Sequence, residues 1–315
     1  MVHHAAFRTR FLNRLAIENI VVDAASIKVN RRAKRVKSDR VDAEGLVLDL
    51  IRHHRGEKGI WKVVRVPTEG EEDQRRRHRM LERLKKERTQ HRARILSLLA
   101  TQGIRPERLK VFVKELGQAR TWQGKSLPPE LMAEIEQQKE RLWVVERQMK
   151  EIGREQEEAV RNASSVAQRK VARLCMLRGV GIDTAWMLVM EFFGWREFRN
   201  RREVGGAAGL GGTPYSSGVT RREQGISKAG NRWVRARMIE LGWIWLRLQP
   251  QAELSQWFVK RFGDGGARMR RVGIVALARR LLIELWHFVE HGVVPRGAVL
   301  KSERGAIGEN AVGGS

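Results

Sequence analysis

The chain has 315 residues, with 62 Lys or Arg against 36 Asp or Glu and a formal net charge of +26. That excess excludes an ordinary soluble enzyme surface and points to a polyanionic partner, nucleic acid being the commonest; a solvated basic surface or adhesion to anionic lipid are the alternatives. One cysteine, Cys175, excludes an internal disulfide and any cysteine-based zinc site, and no run of about 18 apolar residues offers a membrane span.

Residues 1–63 read as α/β. Ile20-Val21-Val22 is a short β-branched apolar run, the pattern of a buried strand. A basic stretch from Lys28 to Lys37 follows, containing Arg31, Arg32, Lys34 and Arg35. Ser38-Asp39 then opens a helix that runs through Leu46, Leu50 and Ile51 to about His54, Ser or Asp being a good N-cap.

Residues 64–165 read as wholly helical. From Glu69 to Leu99 the sequence is highly charged, with Leu81, Leu84, Ile95 and Leu98 as apolar points. After a turn near Gly103 and Pro106 and a break at Pro128-Pro129, a second long helix begins. Its positions Leu131, Ile135, Gln138, Leu142, Val145, Met149 and Ile152 alternate spacings of four and three, a heptad seam with one polar member. The pair predicts a coiled-coil arm used in self-association. Residues 166–296 predict a compact, mostly helical domain with two Gly-rich loops, in which Cys175 is a buried structural thiol. Residues 297–315 lack periodicity and are expected to be a disordered tail.

Four constellations could carry chemistry. Asp39 and Asp42 are three apart and share a helix face, where two carboxylates can hold a divalent metal; acids answering the helix dipole would look the same. Leu177-Arg178-Gly179-Val180-Gly181 joins two helices through Gly179 and Gly181, like a helix-hairpin-helix that offers backbone N–H groups to phosphate, or a plain turn between packed helices. The segment from Gly209 to Gly230 places Ser217 before a glycine and among Arg221, Arg222 and Lys228, cations able to stabilise a phosphate under attack by a hydroxyl. A flexible Ser/Gly turn reads the same way. No histidine lies between His91 and His287, so that serine has no local histidine base. The helix from about Lys228 to Gln249 buries Val234, Met238, Leu241, Trp245 and Leu248 and sets Lys228, Arg232 and Arg235 on another face, as a phosphate track or a solvated basic face. Ser227 is expected to cap it. Trp233 or Trp243 could stack on a base, although the ten tryptophans mostly fall at helical core positions.

Two blocks carry a resemblance to a known family. VVDAASIKVNRRAKRVKSDRVDAEGL at 21–46 is one. The other runs from LRGVGIDTAWMLVMEFFGW at 177–195 through GISKAGNRW at 225–233, and continues in SQWFVKRFG and GIVALARRLL. They resemble the DEDD-type transposases of the IS110 insertion-sequence family. The resemblance implies a RuvC-like, RNase H-type domain, then a coiled coil, then a second domain bearing a serine, in the bacterial cytoplasm. It implies cleavage and rejoining of DNA strands, with Mg²⁺ on an Asp-Glu-Asp-Asp set and a bridge RNA as guide. Asp39 and Asp42 match the last two acids, and Ser217 the nucleophilic serine, with Ser216 beside it. No Asp or Glu precedes Glu18, so the first two acids have no counterpart. The first domain is therefore expected to be an N-terminally truncated remnant. The protein is then either an active recombinase or a catalytically inactive nucleic-acid-binding remnant of one.

Overall fold

The computed structural model describes residues 2–23, 26–27, 39–217 and 220–301. The basic stretch with Arg31, Arg32, Lys34 and Arg35 lies outside the described residues, as does the tail from 302 onward. The fold is mostly helical and forms two compact units, residues 1–70 and 71–315.

In the first unit, α1 (Val2–Arg14) precedes α2 (Asp39–His54), which begins at the predicted Ser38-Asp39 boundary. The predicted strand Ile20–Val22 contributes one antiparallel bridge, Val22 to Val63. It is flanked by bonds from Val64 N–H to the Val21 carbonyl at 2.7 Å and from Asp23 N–H to the Lys62 carbonyl at 2.9 Å. A buried strand needs a neighbour on each side. Among the described residues of this unit this is the one strand pairing. Leu46, Val47, Leu48, Leu50 and Ile51 of α2 correspondingly stay exposed.

The second unit opens on two long helices, α3 (Glu69–Ala100) and, after the short α4 (Leu109–Phe112) and a 3-10 turn at Leu116–Gln118, α5 (Pro129–Asn162). Pro129 sits in the first turn of α5, where its missing N–H costs no hydrogen bond. The two helices run antiparallel: Arg94 pairs with Glu134, His91 with Gln138 and Arg77 with Glu155. The heptad seam is filled inside the chain. Ile135 and Leu142 pack with Ile95 and Leu99, while Val145 and Ile152 pack with Leu81 and Leu84. Gln138, the polar seam position, bonds the His91 ring at 2.8 Å. The seam therefore joins α5 to α3, and an interface with a second copy would have to use another face.

The remaining helices are α6 (Val166–Cys175), α7 (Ile182–Leu188), α8 (Arg201–Ala207), α9 (Arg232–Leu248), α10 (Glu253–Phe262) and α11 (Ala267–His291). A single π-turn, Val189–Phe193, follows α7, and an antiparallel ribbon of β1 (Gly212–Ser217) and β2 (Thr220–Ile226) stands between α8 and α9. Ser165 and Gln168 form a reciprocal capping box that starts α6. The predicted stripe of α9 is realised: Val234, Met238, Leu241 and Trp245 are buried against the same core as Ala278, Leu281, Leu282 and Leu285 of α11. Leu248 is only partly buried. Gly242 lets the two helices close: a Cβ there would stand 3.1 Å from Ile274. Cys175 lies in this core, and burial pushes its thiol up to about 11, as suits a structural residue. The tryptophans divide between core and surface. Trp186, Trp195, Trp245 and Trp286 are buried, whereas Trp122 and Trp143 are 75% and 62% exposed.

Candidate nucleic-acid interface

Ser217 is the last residue of β1 and pairs with Thr220 across the ribbon tip. Ser216 pairs with Arg221 and Tyr215 with Arg222, so the backbone register brings the serines and two arginines to one end of the ribbon. The serine segment is thus part of an antiparallel ribbon, paired in register as far as Ser217 and Thr220.

The base explains the Gly-Ile-Ser-Lys-x-Gly-Asn string. The Ser227 N–H donates to the Gly211 carbonyl at 2.8 Å, and Lys228, at φ 55, donates to the Gly209 carbonyl at 3.2 Å. Gly230, at φ 139, passes so close to α8 that a Cβ would overlap the Ala207 carbonyl and lie 2.7 Å from the Gly209 nitrogen. Gly230→Ala is expected to destabilise the protein by roughly 2–4 kcal/mol, from the backbone strain and the clash together. Urea unfolding of the pure variant measures this.

Three expectations for this region change. Asn231, not Ser227, caps α9, accepting from the Trp233 and Val234 N–H groups at 3.0 and 3.3 Å. Lys228 lies before the helix, so Lys228, Arg232 and Arg235 form no continuous helical track. The Arg235 guanidinium donates to the carbonyls of Lys228 and Ala208 at 2.9 and 3.3 Å, which makes it a brace for the hairpin base. Arg232 remains exposed, its guanidinium 5.4 Å from the Trp233 ring centre.

The glycine turn between α6 and α7 has Gly179 at φ 92, a conformation glycine adopts at no steric cost. It packs against Ile244 and Leu248 of α9. The other side of the turn is held by the 299–301 segment: the Arg178 N–H donates to the Val299 carbonyl at 3.1 Å, and Lys301 reaches the Val180 carbonyl at 3.2 Å. Gly181 is the N-cap of α7, but the Asp183 carboxylate stands in that first turn and binds Lys85 at 3.0 Å. An acid already at the helix start opposes a phosphate there. The geometry gives Gly179 a packing role against α9 and makes Gly181 the N-cap of α7.

A buried polar network escapes sequence reasoning altogether. The π-turn carries Glu191, 2% exposed, whose carboxylate accepts from Arg79 at 2.6 and 3.1 Å. Arg75 is 3.6 Å away and lies 5.0 Å from the centre of the Trp195 ring. Burial alone would raise the Glu191 pKa, but the Arg79 hydrogen bonds and the two guanidinium charges hold it below the usual carboxylate range. The Asn231 amide donates to the Glu191 carbonyl at 3.3 Å, linking the cap of α9 to the same point. One turn from Arg75 on α3, His78 is 2% exposed and meets Trp233 edge-on. Burial pushes its pKa down to about 4, against the opposing pull of Glu191 and Glu82.

His78 therefore makes stability depend on pH. Above about pH 6.5 it is neutral in both folded and unfolded chains and contributes no dependence. Between that value and about 4 the unfolded chain takes up a proton that the folded chain excludes. Stability should fall by about 3 kcal/mol across this window as the pH drops. Denaturant unfolding at a series of pH values should show the loss, and His78→Leu should remove most of it.

The second feature missed in the sequence is a wide groove of about 1740 Å³ bordered by α8, α10, α11 and residues 293–296. Nine Arg or Lys residues line it against two glutamates, Glu253 and Glu284. The foot of the ribbon, Gly212, Gly225 and Ile226, forms part of its wall. The available signal was the density of arginine in RNRR at 199–202 and in ARMRR at 267–271.

Asp39 begins α2 and Asp42 lies exposed one turn on. Among the described residues no group of three or more His, Cys, Asp or Glu comes together as a metal site. Two carboxylates supply a minority of the six oxygen ligands that Mg²⁺ takes. The described residues thus do not make up a metal centre by themselves. No helix among the described residues is long and apolar enough to cross a membrane.

Residues 171–255, which contain the glycine turn, the π-turn, the ribbon and all of α9, match the family described as Transposase IS116/IS110/IS902. The chain is also 39% identical over 304 residues to a protein of Sinorhizobium fredii (strain NBRC 101917 / NGR234) named "Putative transposase y4rJ", covering 93% of this chain and 76% of that one.

Proposed function

Because the chain belongs to the IS116/IS110/IS902 transposase family, we propose that it binds DNA and cuts and rejoins its strands in transposition of an insertion sequence, with Ser217 as the nucleophile. The observation that carries this reading is the ribbon register, in which Ser217 belongs to the last backbone pair and Arg221 and Arg222 follow four and five residues further along the chain.

In the proposed step the Ser217 Oγ forms a bond to phosphorus and the bond from phosphorus to one strand oxygen breaks. The serine proton leaves and the departing oxygen gains one, so the step consumes no water. The serine ester keeps the phosphodiester energy. Attack by a hydroxyl of the recipient strand reverses the exchange and restores the serine. Arg221 and Arg222 offset the charge that builds on the non-bridging oxygens, whereas Lys228 stands at the base of the ribbon, away from Ser217. Asp39 and Asp42 are the acids of the first unit that match the family's set. A guide RNA selecting the target and a homo-oligomer assembling the two ends complete the reading.

The test uses the full chain and end-labelled DNA carrying the element's termini, with and without RNA that co-purifies. A labelled covalent adduct that survives denaturation and is released by protease supports the reading. DNA binding that weakens steeply with salt but never yields an adduct or joined strands would instead assign the chain as a non-catalytic nucleic-acid-binding protein.

A further inference from the structure

We infer that the groove beside α11 holds an unpaired stretch of nucleic acid, with its phosphates on the arginine rim and its bases on the apolar floor. The inference rests on the transposase reading only in supposing that such a strand is then presented to the serine hairpin.

The charge comes first. Arg201 and Arg202 at the start of α8 and Arg268 and Arg271 at the start of α11 are exposed, and none forms an ion pair with a carboxylate among the described residues. The two glutamates of the groove leave most of its nine cations uncompensated. Such a surface fits a polyanion. Its volume, about 1740 Å³, exceeds the roughly 300–1,000 Å³ usual for a small-molecule pocket and leaves room for a segment of polymer.

The floor decides between duplex and single strand. Met269, Val272 and Val294 present exposed apolar surface, at 48%, 54% and 37%. Trp257 lies among them with the Arg280 guanidinium stacked 4.0 Å from its ring centre. A duplex turns its phosphates outward and keeps its base faces stacked inside, so it gains nothing from an apolar floor. An unpaired strand has free base faces, and an aromatic ring with a stacked guanidinium is the kind of platform they use. The groove also has an outlet in the right place. Its wall includes Gly212, and Ser217 is five residues further along β1, about 17 Å at the usual strand rise.

The experiment is anisotropy titration of the full chain with a fluorescein-labelled 20-nucleotide oligothymidylate and, separately, with a labelled 20-base-pair duplex. Arg268→Glu combined with Arg271→Glu should weaken single-strand binding by at least about tenfold and make its salt dependence shallower, each lost phosphate contact removing about 0.7 from the slope. Trp257→Leu, which keeps an apolar side chain, should weaken single-strand binding by about tenfold and leave duplex binding unchanged. Thermal unfolding of each variant confirms the fold, and the double-arginine variant alters exposed positions only, so it remains informative should Trp257→Leu unfold. Equal loss for duplex and single strand on Trp257→Leu would assign the groove to duplex. Unchanged single-strand affinity in the arginine variant would overturn the proposal outright. If these results come out as expected and no serine adduct ever forms, the groove stands and the transposition reading falls; adduct formation with normal groove-variant binding has the opposite meaning.

Discussion

Ser217→Ala is expected to lower strand transfer by roughly 10³-fold or more, because no other group replaces the oxygen that carries the covalent intermediate. DNA affinity should not change, since the hydroxyl contributes chiefly once the bond to phosphorus is forming. Both are measurable on one preparation, by gel analysis of joined products and by anisotropy. Ser216→Ala is the control. It shares the strand but pairs one position further from the tip, opposite Arg221 rather than Thr220. The assignment fails if Ser216→Ala abolishes the adduct and Ser217→Ala does not.

The second large effect concerns stability. Glu191→Gln removes the carboxylate that pairs with both Arg75 and Arg79. Breaking a buried pair by taking away one partner typically costs about 3–5 kcal/mol, because the other charge is left without compensation. For a unit of this size each kcal/mol lowers the melting temperature by about 2–4 °C, so calorimetry should show a drop of roughly 6–20 °C. Arg79→Leu in the same background should restore part of the loss, and the double-mutant cycle isolates the coupling. Arg75 limits that rescue, since its guanidinium is also buried, with burial lowering its pKa. A Glu191→Gln protein that melts with the wild type would mean the network contributes nothing to stability.

The network also bears on the proposed site. It fastens α3 to the π-turn and, through Asn231, to the start of α9, which in turn anchors the foot of the ribbon. In the sequence Glu191 stands as one acid among apolar residues, and Arg75 and Arg79 fall in the highly charged stretch from Glu69 to Leu99. Those residues are 112 positions apart in the case of Arg79 and Glu191. Periodicity reports which face of a helix is apolar, but it carries no information about which distant charge a given side chain meets.

The helices were largely legible. The boundary at Ser38-Asp39, the break at Pro128-Pro129, the 4-3 seam of α5 and the buried stripe of α9 all follow from local rules: capping, the loss of an N–H at proline, and apolar spacing. Lys228 was misplaced for a local reason as well. Continuing the helical count backwards past Asn231 ignored that asparagine is as good a cap as serine, and that Gly230 cannot be helical at φ 139.

The amino-acid sequence by itself determined that this is a basic, mostly helical chain with a heptad seam, and through its two matched blocks that it resembles IS110-type transposases. Those properties are written in composition, short-range spacing and residue identity. Only the tertiary structure decided that the seam is satisfied by α3 within the same chain, that Arg235 is committed to two carbonyls, and that scattered arginines of α8, α10 and α11 line one groove at the foot of the Ser217 ribbon. The physical reason is the same in each case. A hydrophobic face or a charge specifies what kind of partner it needs, while the chain's path in space selects the partner it gets.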